Sequence, residues 1–178
     1  MGLMGTFAAT LVSASAAHAT TARAVSLPAL VRRSTRIARA TTLESFARSE
    51  DFGGVRHIVT YSRMRIEDSI QGPSGDSETL VRTLGGRVGD LGEIVHGEAE
   101  LTLNETSLVF LMPDQNGVEV VTAMAQGHYP VALDGAGTPR LRLARNMPHL
   151  IGGKSSAVAL LTGKPFPEAR ALILGARR

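Results

Sequence analysis

The chain lacks several residue types, and each absence excludes a class of structure or chemistry. It has no cysteine, which excludes disulfides, thiol catalysis and thiolate metal sites. Aromatic residues make up only 4% of it, too few for the stacking surfaces of a single-stranded nucleic-acid binder. The net charge is +3, carried almost entirely by arginine and dispersed along the chain. The sequence therefore predicts no nucleic-acid partner.

Motifs of the common catalytic and cofactor sites are also missing. The G-x-S-x-G pattern of serine hydrolases does not occur. Gly152-Gly153-Lys154-Ser155 resembles the end of a phosphate-binding loop, but Pro148 occupies the place of its first glycine. The histidines lack the spacing of a metal site. We therefore predict no catalytic residues, no metal and no cofactor.

The first nineteen residues contain no charged side chain. An apolar stretch from Phe7 to Val12 precedes Ala17-His18-Ala19, and small residues at Ala17 and Ala19 are typical of a signal-peptide cleavage site. The segment is too short and too polar to span a bilayer. We predict a signal peptide over 1–19, no transmembrane anchor after cleavage, and a periplasmic or secreted protein. Because no Lys or Arg precedes the apolar stretch, a flexible leader or a short packed helix is the alternative.

Residues 20–178 have the length and composition of one globular domain. Ser26 is a suitable N-cap for a short helix reaching residue 36, with Arg32, Arg33 and Arg36 on its outer face. Two helices are expected near the end, over about 154–177, and 134–153 is expected to be irregular.

Between these helices, over about 37–131, the pattern predicts strands. Alternation is clearest over 55–70, which follows a turn at Gly53-Gly54 and is long enough to bend as strands of small barrels do. The glycines at 85, 86, 89 and 92 predict a tight connection with positive φ angles. The other predicted strands cover 37–48, 79–84, 94–96, 98–103, 108–112, 118–124 and 127–131. The fold class is α+β, with an OB-like antiparallel barrel or sandwich.

One face of the long strand carries the best candidate binding residues. His57, Tyr61, Arg63 and Arg65 lie at alternate positions, so their side chains point the same way. Two guanidinium groups and a phenol would suit a phosphate, carboxylate or glycan. The alternative is an ordinary solvated sheet face whose charges discourage edge pairing.

Two further hypotheses concern activity. A hydrolase site assembled from scattered residues would draw on His96, His128, Asp90 and Glu98. The leading hypothesis is a non-enzymatic exported domain that binds an envelope component or a secreted protein, because no reactive constellation is evident.

Several short motifs resemble those of a group of small exported bacterial proteins without an assigned function. The resemblance implies an exported OB-like β domain and supplies no catalytic residues. Its motifs are Arg32-Arg33-Ser34, Ile58-Val59-Thr60-Tyr61, Thr83-Leu84-Gly85-Gly86, His96-Gly97-Glu98, Val109-Phe110-Leu111 and Ala125-Gln126-Gly127.

Overall fold

The computed structural model describes residues 21–73 and 75–177. The predicted signal peptide, with Ala17 and Ala19, lies outside the described residues. Within them, no helix has both the length and the apolarity needed to cross a membrane. The elements are β1 (Thr21–Arg23), α1 (Leu27–Arg33), β2 (Arg36–Phe52), β3 (Val55–Gln71), β4 (Glu78–Leu84), β5 (Gly86–Val88), β6 (Leu91–Glu93), β7 (Thr106–Pro113), β8 (Glu119–Val121), β9 (His128–Leu133), β10 (Pro139–Leu141), β11 (His149–Ile151), α2 (Ala157–Leu161) and α3 (Phe166–Gly175).

A mixed seven-stranded sheet dominates the molecule, in the order β10-β9-β7-β2-β3-β4-β8. Its pairings are antiparallel except β4 with β8, where Val81 lies opposite Glu119. Strand β8 also pairs with β7, so β7 pairs with three strands. The β-rich α+β class is confirmed, whereas the expected all-antiparallel pairing is wrong because β8 lies parallel to β4.

The β2–β3 hairpin is the longest element of the fold. Seventeen residues on each side of the Gly53-Gly54 turn form it, and both turn glycines have positive φ. Three register shifts interrupt the pairing, one of them between Thr42 and Glu44. Because such irregularities increase local twist and bending, two strands of this length remain within a small domain, as the sequence pattern predicts.

The helices lie where the sequence predicts them, and serine side chains cap the first turns of α1 and α2. Ser26 Oγ accepts a hydrogen bond from Ala29 N–H at 3.4 Å, and Ser156 Oγ accepts one from Ala159 N–H at 3.1 Å. Helix α1 ends at Arg33, so the expectation that Arg36 lies on its outer face is wrong. Arg36 begins β2 instead and is only 5% exposed.

The core has two parts, one on each side of β7. Leu108 and Phe110 pack against the helices, whereas Val109 and Leu111 pack with Met64 and Val81 on the other side. All four β7 residues are fully buried. This confirms the strand predicted over 108–112, and its continuous apolar run is covered on both faces.

Several predicted strands are wrong. Residues 94–105 form no strand, and the chain after Val121 enters a 3-10 turn, Met124–Gly127, instead of extending to 124. Conversely, the segment 134–153, expected to be irregular, contains β10 and β11. Strand β11 pairs with β1 in a separate two-stranded sheet, a long-range contact that local alternation does not encode.

Candidate functional site

On β3, the basic side chains of the predicted binding face contact carboxylates of the same chain. Arg63 contacts Glu44 at 3.2 Å and Glu78 at 2.9 Å. His57 Nδ1 lies 2.8 Å from Glu93 Oε1, and Arg65 is exposed, 4.0 Å from Glu67. An anion at Arg63 would have to compete with two carboxylates already in place. Anion binding on this face therefore stays a prediction.

Tyr61, the fourth predicted residue, is buried in a polar network. Its hydroxyl donates to Glu50 Oε1 at 2.7 Å and accepts from Arg48 at 3.0 Å. The ring stacks on Phe46 with centroids 5.5 Å apart, and the Arg48 guanidinium covers it. The hydrogen bond from Tyr61, followed by those from arginine, lowers the pKa of Glu50. This network joins β2 to β3 and leaves the phenol inaccessible to a ligand.

A cleft of about 280 Å³ lies between the ends of β3 and β4, the β5–β6 hairpin and residues 94–102. We call it the Glu98 cleft. The described residues that line it include three carboxylates, Glu93, Glu98 and Glu100, and no Arg, Lys or His. The protein is basic overall, so this acidic cleft contrasts with the rest of the chain.

Two glycines at the start of the β5–β6 hairpin shape one wall of the cleft. Gly85 and Gly86 have φ of +88° and +136°, and a Cβ on Gly86 would lie 2.4 Å from Thr60 Oγ1. Thr60 Oγ1 instead donates to Gly85 C=O at 2.8 Å. The glycine pair therefore allows the hairpin to lie directly against β3. The antiparallel connection predicted from the glycine spacing is confirmed, and so are the positive φ angles of Gly85, Gly86 and Gly89, whereas Gly92 has none.

Glu98 lies at the floor of the cleft and is 8% exposed. Its Oε1 accepts the Ala99 N–H at 2.8 Å and its Oε2 accepts the Leu84 N–H at 3.3 Å. Within the described chain it forms no ion pair. Burial raises the pKa of this carboxyl, and the two backbone hydrogen bonds oppose that shift.

Hydrogen bonds from two other segments of the chain hold the loop that carries Glu98. Asn146 Nδ2 donates to Val95 C=O at 2.9 Å and to Glu98 C=O at 3.3 Å. Gly97 C=O accepts the Ala125 N–H at 2.9 Å. These bonds replace the ladder of the strand that the sequence predicted here, and they fix the buried carboxylate in place.

Glu93, on the cleft wall, differs from Glu98 because it is paired. Its Oε1 contacts His57, and its Oε2 accepts the Ile58 N–H at 2.6 Å. These interactions, the His57 contact foremost, lower the pKa of Glu93. The two acids therefore have opposite pKa shifts: Glu93 is stabilised as an anion, and Glu98 is desolvated without a positive partner.

Exposed apolar side chains surround the cleft. Ile94 is 82% exposed and Leu84 40%. An adjoining cavity of about 230 Å³ shares Leu84 and Glu98 and is lined by Met124 and by Arg82, which is paired with Glu50 and Asp114. Met124 and the preceding Ala123 have φ of 57° and 59°, a conformation that costs non-glycine residues energy. We call Leu84, Ile94 and Met124 the apolar rim.

The structure does not gather the residues of the hypothetical hydrolase site. Of His96, His128, Asp90 and Glu98, only Glu98 lines the cleft. His96 and Asp90 are exposed elsewhere. His128 Nε2 lies 3.0 Å from Ser107 Oγ, as in a nucleophile–base pair, but neither residue is more than 2% exposed. A substrate therefore has no access to this pair.

Among the residues described, no group of three His, Cys, Asp or Glu side chains could hold a metal ion. A strand over 98–103, as the sequence predicts, would place Glu98 and Glu100 as a pair on one face; the apolar rim was not predicted. The structure separates the pair into a buried and an exposed acid. Nothing in the local pattern marks Leu84, Ile94 or Met124 as exposed, because each was predicted to lie in a strand.

Comparison with protein-family models and with curated proteins gives no match to this chain.

Proposed function

We propose that this chain is an exported, non-enzymatic binding domain that takes its ligand in the Glu98 cleft. The observation that carries the proposal is the buried Glu98 carboxylate at the floor of an open cleft, without an ion-pair partner in the described chain. Such a group lowers stability unless something compensates it. A bound partner supplying positive charge would provide that compensation.

We further propose that five strands close into an OB-like barrel. The pairings form a cycle, β7 to β2, β3, β4, β8 and back to β7. One core cluster draws on all five of these strands and would fill the interior; it includes Ala40, Met64, Val81, Val109, Leu111 and Val121. Five-stranded barrels of this type commonly bind ligands on a strand face and its adjoining loops, which supports a binding function.

The predicted signal peptide over 1–19 is the basis for proposing export. The position of β1 is compatible with cleavage after Ala19. Strand β1 begins at Thr21, two residues after the predicted cleavage position, and pairs with β11. Gln126 accepts the Val25 N–H at 2.9 Å and donates to Arg23 C=O at 3.1 Å. A mature chain starting at Thr20 would thus retain the interactions that β1 forms with the described residues.

Expression of the full chain in a bacterial host tests the export part. We expect a periplasmic protein whose intact mass corresponds to a start at Thr20. An uncleaved protein retained in the cytoplasm would contradict it.

Capture from envelope extract tests the binding part. We expect the mature domain to retain a partner that Ile94→Ser loses, because Ile94 is the most exposed residue of the apolar rim. Leu133→Ser is the matched control, since Leu133 is 66% exposed and lines a different groove. Equal capture by both variants, or substrate turnover by the purified domain, would overturn the proposal.

A further inference from the structure

The pairing of carboxylates across the molecule sets Glu98 apart. The chain has sixteen carboxylate side chains, and within the described residues all but Asp90, Glu98 and Glu100 lie within 4.0 Å of an Arg, Lys or His side-chain nitrogen. Two of these three line the Glu98 cleft. Glu98 is the buried member, whereas Asp90 and Glu100 are exposed and solvated.

The chain is rich in basic residues, yet within the described residues none forms an ion pair with Glu98. The chain contains nineteen Lys and Arg residues, and even exposed acids such as Glu44 and Glu78 share an arginine. A buried carboxylate is stabilised by a positive group that donates hydrogen bonds to it. The charge of the cleft is therefore complementary to an ammonium or guanidinium group from outside the chain.

The apolar rim indicates what carries that group. Leu84 and Ile94 line the cleft, and Leu84 and Met124 line the cavity beside it, so the apolar surface is wider than the acidic floor. The cleft, at about 280 Å³, is just below the usual range of about 300–1,000 Å³ for small-molecule pockets. A small cation would cover the floor and leave the rim exposed, whereas a polypeptide would place one basic side chain in the cleft and apolar neighbours on the rim.

We propose that the Glu98 cleft binds a Lys or Arg side chain of a partner polypeptide, with adjacent apolar residues of that partner covering Leu84, Ile94 and Met124. This assignment rests on the proposed binding function and adds the chemical class of the partner. The basic group donates hydrogen bonds to Glu98, and Glu93 and Glu100 contribute negative charge at the wall and the entrance.

Titration calorimetry with the processed protein tests the assignment. The probes are acetyl-Ala-Leu-Arg-Leu-Ala-amide, the same peptide with Gln in place of Arg, and butylguanidinium as a small cation. We expect the arginine peptide to bind at least about tenfold tighter than the glutamine peptide, because a hydrogen bond between two charged groups is stronger than one from a neutral amide. Butylguanidinium, which lacks rim contacts, should bind more weakly than the arginine peptide.

Two variants locate the effect. Glu98→Gln should remove the preference for arginine, whereas Glu100→Gln, which neutralises an exposed acid of the same cleft, should change it by less than about threefold. Thermal unfolding checks the fold. In Glu98→Gln the amide oxygen can still accept from Ala99 and no charge is buried, whereas the amide nitrogen cannot accept from Leu84 N–H. The variant should therefore stay folded at neutral pH. Should it unfold, Ile94→Ser provides the second variant, with weaker binding of both peptides expected.

The outcomes separate this inference from the proposed function. Equal affinity for the two peptides, or no measurable binding of either, overturns the inference, and the binding function stands if extract capture still depends on Ile94. Butylguanidinium binding as tightly as the peptide identifies a small cation and overturns the polypeptide partner. Capture that is indifferent to Ile94→Ser overturns the proposed function itself.

Discussion

At the scale of single residues, burial decides which titratable groups affect stability. His128 is 1% exposed; one ring nitrogen lies close to Ser107, and the other has no hydrogen-bond partner among the described residues. Burial, and secondarily the charge of Arg145, lowers the pKa of His128 to about 4. The imidazole is therefore neutral in the folded protein across the range in which an unfolded histidine becomes protonated, near pH 6.5.

The sign of the resulting pH dependence follows from this difference. The unfolded chain takes up a proton at His128 before the folded chain does, so stability is fully present above about pH 6.5 and falls as the pH approaches 4. The expected loss is about 3 kcal/mol. Chemical denaturation at a series of pH values measures it. His128→Gln should have a flatter profile over this range, and an unchanged profile would contradict the assignment.

At the scale of one element, the 3-10 turn Met124–Gly127, which follows β8, has no room for a side chain at Gly127. A Cβ on Gly127 would lie 2.1 Å from Thr122 C=O, a backbone atom that cannot move aside cheaply. Gln126 of the same turn holds the N-terminal strand, and Met124 forms part of the apolar rim. The turn thus connects the first strand to the candidate site.

Gly127→Ala should therefore destabilise the protein by at least about 2 kcal/mol, since the added methyl group overlaps backbone. The midpoint of urea unfolding measures the change. Gly135→Ala is the control, because nothing lies within 4 Å of a Cβ built there and its φ is not positive. It should change stability by less than about 1 kcal/mol, and similar losses for both variants would refute the steric argument.

Local signals predicted some elements well and others poorly. The Leu108–Met112 run became a strand because both its faces find apolar partners. Residues 98–103 alternate between polar and apolar side chains, as a half-buried strand does, but form no strand, because Asn146 and Ala125 take the hydrogen bonds of the neighbouring backbone. Because these hydrogen-bond partners are distant in the sequence, the local pattern of residues 98–103 could not predict them.

At the scale of the whole molecule, one buried guanidinium connects distant strands. Arg36, at the start of β2, contacts Glu119 of β8 at 2.9 Å and Asp76 of the β3–β4 loop at 2.8 Å. Its side chain is only 7% exposed. Thr79 of β4 also donates a hydrogen bond to Glu119. The group therefore links three strands and a loop around a single buried charge.

Glu119→Gln should destabilise the protein by at least about 2 kcal/mol, because it leaves a buried guanidinium with the half-exposed Asp76 as its remaining carboxylate partner. Unfolding in guanidinium chloride or urea measures the loss. Glu44→Gln removes one carboxylate from the exposed Arg63 and should cost less than about 1 kcal/mol. Equal costs would show that burial does not distinguish these two ion pairs.

The sequence by itself determined the β-rich class, the capped helices, the long hairpin and the absence of thiol chemistry, because each depends on residues close together in the chain. Only the tertiary structure decided that β8 pairs with both β4 and β7, that Arg36 is buried, and that Glu98 lies unpaired in a cleft. These features depend on which distant backbone and charged groups meet, and pairing across the fold is set by global packing. The predicted site on β3 shows the same limit: alternation placed Tyr61 and Arg63 on one strand, but their carboxylate partners came from other elements.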